Sequence, residues 1–569
     1  LAQHRHALDQ IEKLLPVARF GLAALSSPGD RDRAMDLRVS PPDFFSRDLD
    51  VAVLEGRLDC ALHSAKDVPD PLPPGLDWCW LPWREDPRDV WVLPAGKTWA
   101  ALPAAPVIGV SSARREAYAR CRYPQAVLRG VRGNIAERLA QLDAGGFDLL
   151  VMAGAALVRL GLQNRISAWL ALEELATPEG QGVLTLTFRE GDATFQRLRS
   201  LFVKPVTFVG TGDDPSGAHA LRHADVCLHD VPEGSPWLGE LPATARKINV
   251  GPHGRQPRWE QDEISRLLAR YARQGCRVVR LCAAADGWYA EVAALDALRL
   301  PYRILPNAGG SPVTVPRHGA LQGGRVLLTC SAALLEQATT VVQDFGGVPL
   351  ARPLIRLVPK MEAACELTRL DRYGWLLITS PSAVRCLAEL LPAEVRRLPR
   401  IMVCGPGTAA EVEKVFRIKP DFQAAADFGK AGVLADLAPL RQTRQPVLRI
   451  RSDQAGSTLA DELRQAGLAV TDLIVYKNER VRYTGRPEFD AVFFASASAV
   501  EAYVDLWGAD SLGGRTVVAI GKPTAAALNR AGSRADVLGH EATVASALAA
   551  LAAQRVNAVL AAVKREHKS

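Results

Sequence analysis

The sequence predicts a multidomain α/β protein. Three observations carry this: strand-like apolar runs alternate with helical patterns nearly throughout, the chain has 569 residues, and its composition is that of ordinary globular domains. The alternation is clear at 107–110, 116–121 and 126–128, which read as strand, helix and strand and point to mainly parallel sheets. One hydrophobic core cannot organise so long a chain, and roughly 100 to 200 residues per domain gives about three to five domains. With 48% hydrophobic and 23% charged residues, the chain has enough apolar surface for several cores and too little charge bias for disorder.

Two seams divide it. Lys204-Pro205 precedes a new strand at 206–209 that runs into Gly210-Thr211-Gly212, and a Gly- and Pro-rich stretch from Gly309 to Gly324 precedes the strand at 325–329. The expected domains are 1–202, 203–320 and 321–556, followed by a basic tail at 557–569. The chain opens at Leu1 without Met and reads as a fragment missing its true beginning.

The net charge is +7, and Arg114, Arg115, Arg120, Arg122, Arg129, Arg132 and Arg138 crowd one short stretch. That calls for an anionic partner. A single-strand nucleic-acid site would interleave stacking aromatics with the basic residues, and only Tyr118 and Tyr123 are at hand, so a small polycarboxylate is expected instead. Ten cysteines lie between Cys60 and Cys404 without a CxxC pair, which indicates neither zinc nor a disulfide framework and suits a reducing cytoplasm. His219 and His223 share a helix face with Cys227 and His229 close behind, but no further ligand set accompanies them, so solvated helix histidines and no metal are expected. The best candidate for a membrane span, 149–162, is broken by Arg159, so no membrane partner is expected.

The last region contains an internal repeat. Strand-like runs at 375–380 and 491–496 each lead into a helical pattern, and each is followed by a second such unit, at 401–405 with Thr408 and at 517–521 with Thr524. Ser380 to Thr408 and Ser496 to Thr524 are both 28 positions, so the halves are in register. Where a parallel strand turns into a helix, free N–H groups and the positive end of the helix dipole favour an anion. Ser380, Thr408, Ser496 and Thr524 add hydroxyls there, although each is equally a plausible helix cap.

This region resembles uroporphyrinogen-III synthase. The motifs are Thr379-Ser380-Pro381-Ser382-Ala383-Val384, Gly405-Pro406-Gly407-Thr408-Ala409, Val475-Tyr476, Ser496-Ala497-Ser498-Ala499-Val500 and Ile520-Gly521-Lys522-Pro523-Thr524-Ala525-Ala526. The resemblance implies two α/β domains around a cleft, one made of 322–353 with 480–556 and the other of 356–476. It implies cyclisation of hydroxymethylbilane with inversion of the last ring, by loss of the terminal hydroxyl to an azafulvene that closes through a spiro intermediate. No cofactor is implied. Ser380, Thr408, Ser496, Ser498 and Thr524 would bind substrate, and Tyr476 would assist hydroxide departure.

The first region resembles hydroxymethylbilane synthase (porphobilinogen deaminase), a periplasmic-binding-protein-like pair of domains. Its markers are His63-Ser64-Ala65-Lys66-Asp67-Val68-Pro69, Ser111-Ser112-Ala113-Arg114-Arg115, Arg132-Gly133-Asn134 with Arg138, Arg159-Leu160-Gly161-Leu162 and Gly180-Gln181-Gly182. The resemblance gives Asp67 the proton chemistry and Ser64, Lys66, Ser111, Arg114, Arg115, Arg132, Arg138 and Arg159 the substrate's acid groups, which guanidinium forks suit. The chain departs from that family in three places. No cysteine stands in the Gly-Cys setting that carries the dipyrromethane cofactor, so that cofactor and a third domain are not expected. Ser40-Pro41-Pro42-Asp43-Phe44-Phe45 stands where a loop lysine belongs, and Val110 replaces a threonine. A vestigial, bilane-binding unit is therefore expected, with an active deaminase as the alternative.

The middle region is similar to S-adenosylmethionine-dependent tetrapyrrole methylases such as uroporphyrinogen-III C-methyltransferase. The likeness rests on Val209-Gly210-Thr211-Gly212-Asp213-Asp214-Pro215, Ala224-Asp225-Val226 with Asp230, Arg246-Lys247-Ile248 and Arg277-Val278-Val279-Arg280-Leu281. Its cofactor loop is replaced by Cys282-Ala283-Ala284-Ala285-Asp286-Gly287, and side chains at former glycines fill space a nucleoside needs, so no S-adenosylmethionine is assigned. The whole reads as a cytoplasmic synthase fused to two pathway relatives. The alternatives are a bifunctional enzyme that also polymerises porphobilinogen and a non-catalytic bilane-binding scaffold.

Overall fold

The computed structural model describes residues 2–16, 18–25, 27–32, 41, 43–211, 215–252, 259–283, 288–305, 318–393, 395, 397–424, 430–442 and 444–566. Several motif residues, Gly212 to Asp214, Ala284 to Gly287, Ser40 and Pro42, lie outside them, as do most of the seam at 309–324 and the tail residues 567–569. The chain forms two compact units, the first made of 1–323, 344–347 and 552–569 and the second of 324–343 and 348–551.

The first unit holds three sheets. Cys60–Ser64 and Leu76–Trp80 flank Leu184–Arg189, which runs antiparallel to both. Five strands make the next sheet, in the order Val127–Gly130, Val107–Val110, Leu149–Ala153, Asp89–Val92, Ala168–Trp169. It is parallel through the first three and antiparallel around Asp89–Val92. The expectation of mainly parallel sheets thus fails for part of this unit, and the chain path explains why. The chain leaves the first sheet after Leu76–Trp80, builds the second, and comes back as Leu184–Arg189, so the returning strand opposes the outgoing ones. Hydrophobic periodicity reports that a strand exists but not its direction. The third sheet, in the order Arg246–Asn249, Val226–His229, Val278–Cys282, Val206–Gly210, Tyr302–Ile304, is parallel throughout. Its three central strands are buried along their whole length, as strands covered on both faces must be.

The second unit holds two sheets. One runs Val348–Ala351, Arg325–Leu328, Ala491–Phe494, Thr516–Ala519, Val537–Leu538, all parallel. The other runs Ile355–Pro359, Val470–Arg480, Val447–Ser452, Trp375–Ile378, Arg400–Cys404, Phe422–Ala424, parallel except for the antiparallel pair Ile355–Pro359 with Val470–Arg480. Each sheet has its own core. Leu376, Ile378, Val384, Leu387 and Ile450 pack in one, and Leu327, Val492, Phe494, Val500 and Leu528 in the other. Burying each such side chain contributes about 1.5–3 kcal/mol.

The internal repeat is four strand-to-helix turns. Trp375–Ile378 leads to the helix Pro381–Leu390, Arg400–Cys404 to Pro406–Phe416, Ala491–Phe494 to Ala497–Trp507, and Thr516–Ala519 to Lys522–Arg530. Local chemistry sets each start. Ser380 and Ser496 cap their helices by accepting from the N–H of Ala383 and Ala499. Pro381 and Pro406 occupy first helical positions, where a missing N–H costs nothing. Gly405 takes φ +81°, which a side chain would resist.

One helix, Val544–Glu566, is longer than the sequence suggested. Its stretch Val544–Ala562 has the length and apolarity to cross a membrane, although Gln554, Arg555 and Asn557 interrupt the run in the sequence. Val544, Leu548, Leu551, Ala552, Val556 and Leu560 are buried along one side, the behaviour of a core helix. Ala- and Leu-rich sequence carries the helix on through 557–566, where a tail was expected.

Candidate functional site

Two constellations gather residues singled out from the sequence. In the first unit, Ser64 ends the strand Cys60–Ser64 and Lys66 and Asp67 follow in a single turn of 3-10 helix. The Lys66 ammonium donates to Gln181 Oε1 at 3.2 Å. Arg115 donates to Asp89 Oδ1 at 2.7 Å, to Ser111 Oγ at 3.0 Å and to Gln181 Oε1 at 3.4 Å. Arg114 pairs with the other Asp89 oxygen and donates to Ala176 O at 2.8 Å. Asp89 is 1% exposed and Arg115 5%. A buried carboxylate is tolerable only with such partners. The Nε of Arg115 is buried without a hydrogen-bond partner.

The remaining basic residues sit around this centre. Arg138 donates to Gly133 O at 2.7 Å, Arg159 to Gly182 O at 2.6 Å and Arg132 to Asp32 O at 2.7 Å. Burial, with Arg115 and Arg132 close by, lowers Arg138 to about 10. Burial also raises Asp67, against the pull of Lys66, Arg115 and Arg138, and lowers Lys66. For Asp89 burial pushes upward too, but Arg115 and Arg114 outweigh it and hold the carboxyl below its ordinary range.

Gln181 and Asp89 tie this charge cluster together, and neither stood out as a site residue in the sequence. The signal was Gln181's setting between two glycines. Gly180 and Gly182 take φ +78° and +82°. A Cβ on Gly180 would meet Ala65 and the Lys66 backbone at about 3 Å, and one on Gly182 would meet Glu85 O at 2.4 Å. The glycines let this segment lie against the Lys66 turn and deliver Gln181 into the charge cluster.

In the second unit, Tyr476 lies on Val470–Arg480 and is 6% exposed. Its hydroxyl is 3.5 Å from Ser380 Oγ, and Tyr476 stands opposite Ser452, which ends the strand Val447–Ser452. Burial raises the Tyr476 phenol above its ordinary range, while the two serines oppose that shift. Ser380 and Ser452 stand at the carboxyl ends of adjacent parallel strands, the edge where α/β sheets place ligands. Ser452 was missed because nothing in its local sequence marks it.

Other expected residues are placed separately. Ser496 Oγ is 3.0 Å from Ser498 Oγ and accepts from Ala499 N. Thr408 and Thr524 lie in the first turns of their helices, each 3% exposed. In the middle sheet Thr211 Oγ1 donates to Ala283 O at 3.3 Å, and Arg280 is buried between Asp230 and Glu291 at 2.9 and 3.1 Å. His219 and His223 are half-buried, with rings 4.4 Å apart, and His229 is buried.

Comparison with known proteins gives two family matches. Residues 1–197 match porphobilinogen deaminase, dipyromethane cofactor binding domain, and residues 336–549 match uroporphyrinogen-III synthase HemD. A porphobilinogen deaminase from Thiobacillus denitrificans is 36% identical over 232 residues, covering 38% of this chain and 76% of the relative. One from Burkholderia thailandensis is 40% identical over 193 residues, covering 34% of this chain and 58% of the relative. The chain thus spans between about half and three quarters of these relatives' lengths. The crystal structure of a uroporphyrinogen-III synthase from Thermus thermophilus is 19% identical, covering 42% of this chain and 99% of its own; at a TM-score of 0.28 it adds nothing to the family match. Through its first 197 residues the chain belongs to the porphobilinogen deaminase family, and to that region is fused one that matches uroporphyrinogen-III synthase.

Proposed function

We propose that the second unit acts as a uroporphyrinogen-III synthase, closing hydroxymethylbilane with inversion of its last ring, and that Tyr476 supplies the proton for hydroxyl departure. The observation that carries this reading is the Tyr476 phenol, buried beside Ser380 and Ser452 at the carboxyl edge of the sheet. The bond between the terminal carbon and its hydroxyl oxygen breaks. That oxygen takes the phenol proton and leaves as water, and the pyrrole nitrogen's electrons stabilise the carbon left behind. A proton lost from the substrate after ring closure restores the phenol. Burial keeps Tyr476 protonated at neutral pH, the state a proton donor needs. Holding the bilane in one conformation is the larger task, since orientation alone supplies roughly 7–11 kcal/mol in well-placed reactions. Ser496, Ser498, Thr408 and Thr524 are assigned to its acid groups on the strength of the repeat.

The first unit supports a second role, retention of a bilane or its precursor by charge. Lys66, Arg115 and Arg138 surround Asp67, a concentration of positive charge that suits an anionic ligand. Two thiols near this region, Cys60 and Cys79, do not fit covalent attachment of a dipyrromethane. Cys60 and Cys79 are pushed up to about 12 by burial, which removes the thiolate that attachment requires. Cys121 is exposed on the helix Ala113–Arg122. No step is derived through that group.

The test uses the full chain with two substrates. Hydroxymethylbilane should give isomer III and porphobilinogen alone should give no bilane. Spontaneous isomer I alone from the first substrate would refute the synthase reading. Isomer III from porphobilinogen would make the chain bifunctional.

A further inference from the structure

The loop after Val447–Ser452 is fixed to Tyr476 by a set of bonds that chain packing does not require. Along the pair Val447–Ser452 and Val470–Arg480, Arg451 stands opposite Ile474 but Ser452 opposite Tyr476, a one-residue irregularity. Such a bulge re-aims the side chains beside it. The Asp453 N–H donates to Tyr476 O at 3.0 Å, and Asp453 Oδ1 accepts from Asn478 N at 3.1 Å and Nδ2 at 3.2 Å. Arg451 donates to Ser452 O at 2.9 Å and Ala455 O at 2.6 Å, and Arg449 donates to Gly456 O at 3.0 Å. Both guanidiniums end on one carboxylate, Arg449 on Asp472 Oδ1 at 3.2 Å and Arg451 on Oδ2 at 2.6 Å.

Arg449 is 4% exposed and its Nε has no partner. A buried cluster of this kind is weak as a source of stability, because apolar residues of similar volume do as well or better. What it does supply is geometry: every carbonyl it grips belongs to 452–456, the segment that begins at Ser452, the residue opposite Tyr476 in the sheet. We infer that Arg449, Arg451 and Asp472 are positioning residues that hold Ser452, and through it the Tyr476 hydroxyl, in the orientation proton donation requires. This rests on the reading of Tyr476 given above.

The test reads the phenol directly as well as turnover. In the full chain labelled with 3-fluorotyrosine, the Tyr476 resonance is the one absent from Tyr476→Phe. Asp472→Asn should move that resonance and lower kcat for isomer III roughly ten- to hundredfold, the cost of misplacement by about an ångström, with little change in KM. Asp472→Glu should recover most of the loss. Ser452→Ala should raise the pH at which Tyr476 titrates, since the neighbouring Ser452 hydroxyl opposes the upward shift, while Ser380, Arg385 and Cys386, the other groups near the phenol, stay in place. If Asp472→Asn does not fold, Arg451→Lys, which keeps the charge but loses the forked grip on the Ser452 and Ala455 carbonyls, takes its place with the same expected shift and loss. An unmoved Tyr476 resonance and an unmoved titration in the folded variants overturn the inference. If the unmodified chain forms no isomer III, the proposed activity fails, and the resonance still reports whether the clamp orients the phenol.

Discussion

The pocket of the first unit and the site of the second both lie where strands end, but one is built from charges and the other from hydroxyls. Around Asp89 and Asp67 the first unit gathers Lys66, Arg114, Arg115 and Arg138, and buries much of that charge. Around Tyr476 the second unit places Ser380 and Ser452, with Arg449 and Arg451 held on Asp472 and on the backbone carbonyls of the adjoining loop. Fixed cations grip acid groups strongly, which suits retention of a polyanion. Neutral donors grip more gently and let a bound chain adjust, which suits a substrate that must close into a ring. The contrast also divides the energetics, because buried charge makes the fold of the first cluster depend on pH, while the chemistry proposed for the second site depends on where one proton sits.

The sharpest way to break the comparison is to remove charge from the first pocket. Asp89→Ala leaves Arg115 buried without its carboxylate, and the loss should be about 3–5 kcal/mol, read as a fall in the urea midpoint of the full chain. The pH sign follows from Asp89 lying below its ordinary 3.8. Its stabilising contribution is complete above the unfolded value and disappears as pH falls through the lower folded value, so chain and variant should converge in stability only below about pH 3.8. Equal loss at neutral and strongly acid pH would show that Asp89 does not act as a buried anion.

Tyr476→Phe tests the other side. It removes one hydroxyl and little volume, so folding should persist while isomer III formation drops by roughly 10² or more, about 2.7 kcal/mol. The ratio of isomer III to isomer I from supplied hydroxymethylbilane is the measure, and an unchanged ratio removes Tyr476 from the chemistry.

Much of this contrast was legible in the sequence, and for physical reasons. Arg114, Arg115 and Arg138 announced themselves because charged clusters are rare in strand-helix segments, and Ser380 and Ser496 because capping residues recur at fixed spacing in a duplicated unit. Strand direction in the first unit was not legible, since Leu184–Arg189 has the same apolar character whichever way it runs. Ser452 and Asp472 were hidden for another reason. Their roles come from the register of Val447–Ser452 against Val470–Arg480, and a bulge in that register has no local signature. Gln181 lay between these cases, since its flanking glycines marked a special backbone without saying what approached it.

Within the first pocket the two aspartates should respond in opposite directions. Asp67 is raised by burial despite its cationic neighbours, so ionised Asp67 costs the fold something at neutral pH. Asp67→Asn should therefore raise the urea midpoint slightly at pH 7, by an amount of order 1 kcal/mol, and this advantage should shrink as pH falls toward the range where Asp67 is protonated. Destabilisation by Asp67→Asn at pH 7 would mean that Lys66, Arg115 and Arg138 more than repay the burial.

The smallest effect compares the two halves of the duplicated unit. Ser380 and Ser496 make the same cap, each accepting from an N–H three residues on, at 3.2 Å in both cases. Ser380→Ala and Ser496→Ala should then lower stability by about 1 kcal/mol each, the usual worth of such a cap. Their chemistry should differ, because only Ser380 also stands within reach of the Tyr476 phenol, while Ser496 faces Ser498. Ser380→Ala should therefore lower kcat and shift Tyr476's titration upward, whereas Ser496→Ala should act mainly on KM if its hydroxyl meets an acid group of the substrate. Equal stability losses with a split between kcat and KM would show one ancestral cap put to two uses. Loss of stability alone in both variants would return Ser380 and Ser496 to the plain role of helix caps, and would leave Ser452 as the remaining hydroxyl near Tyr476.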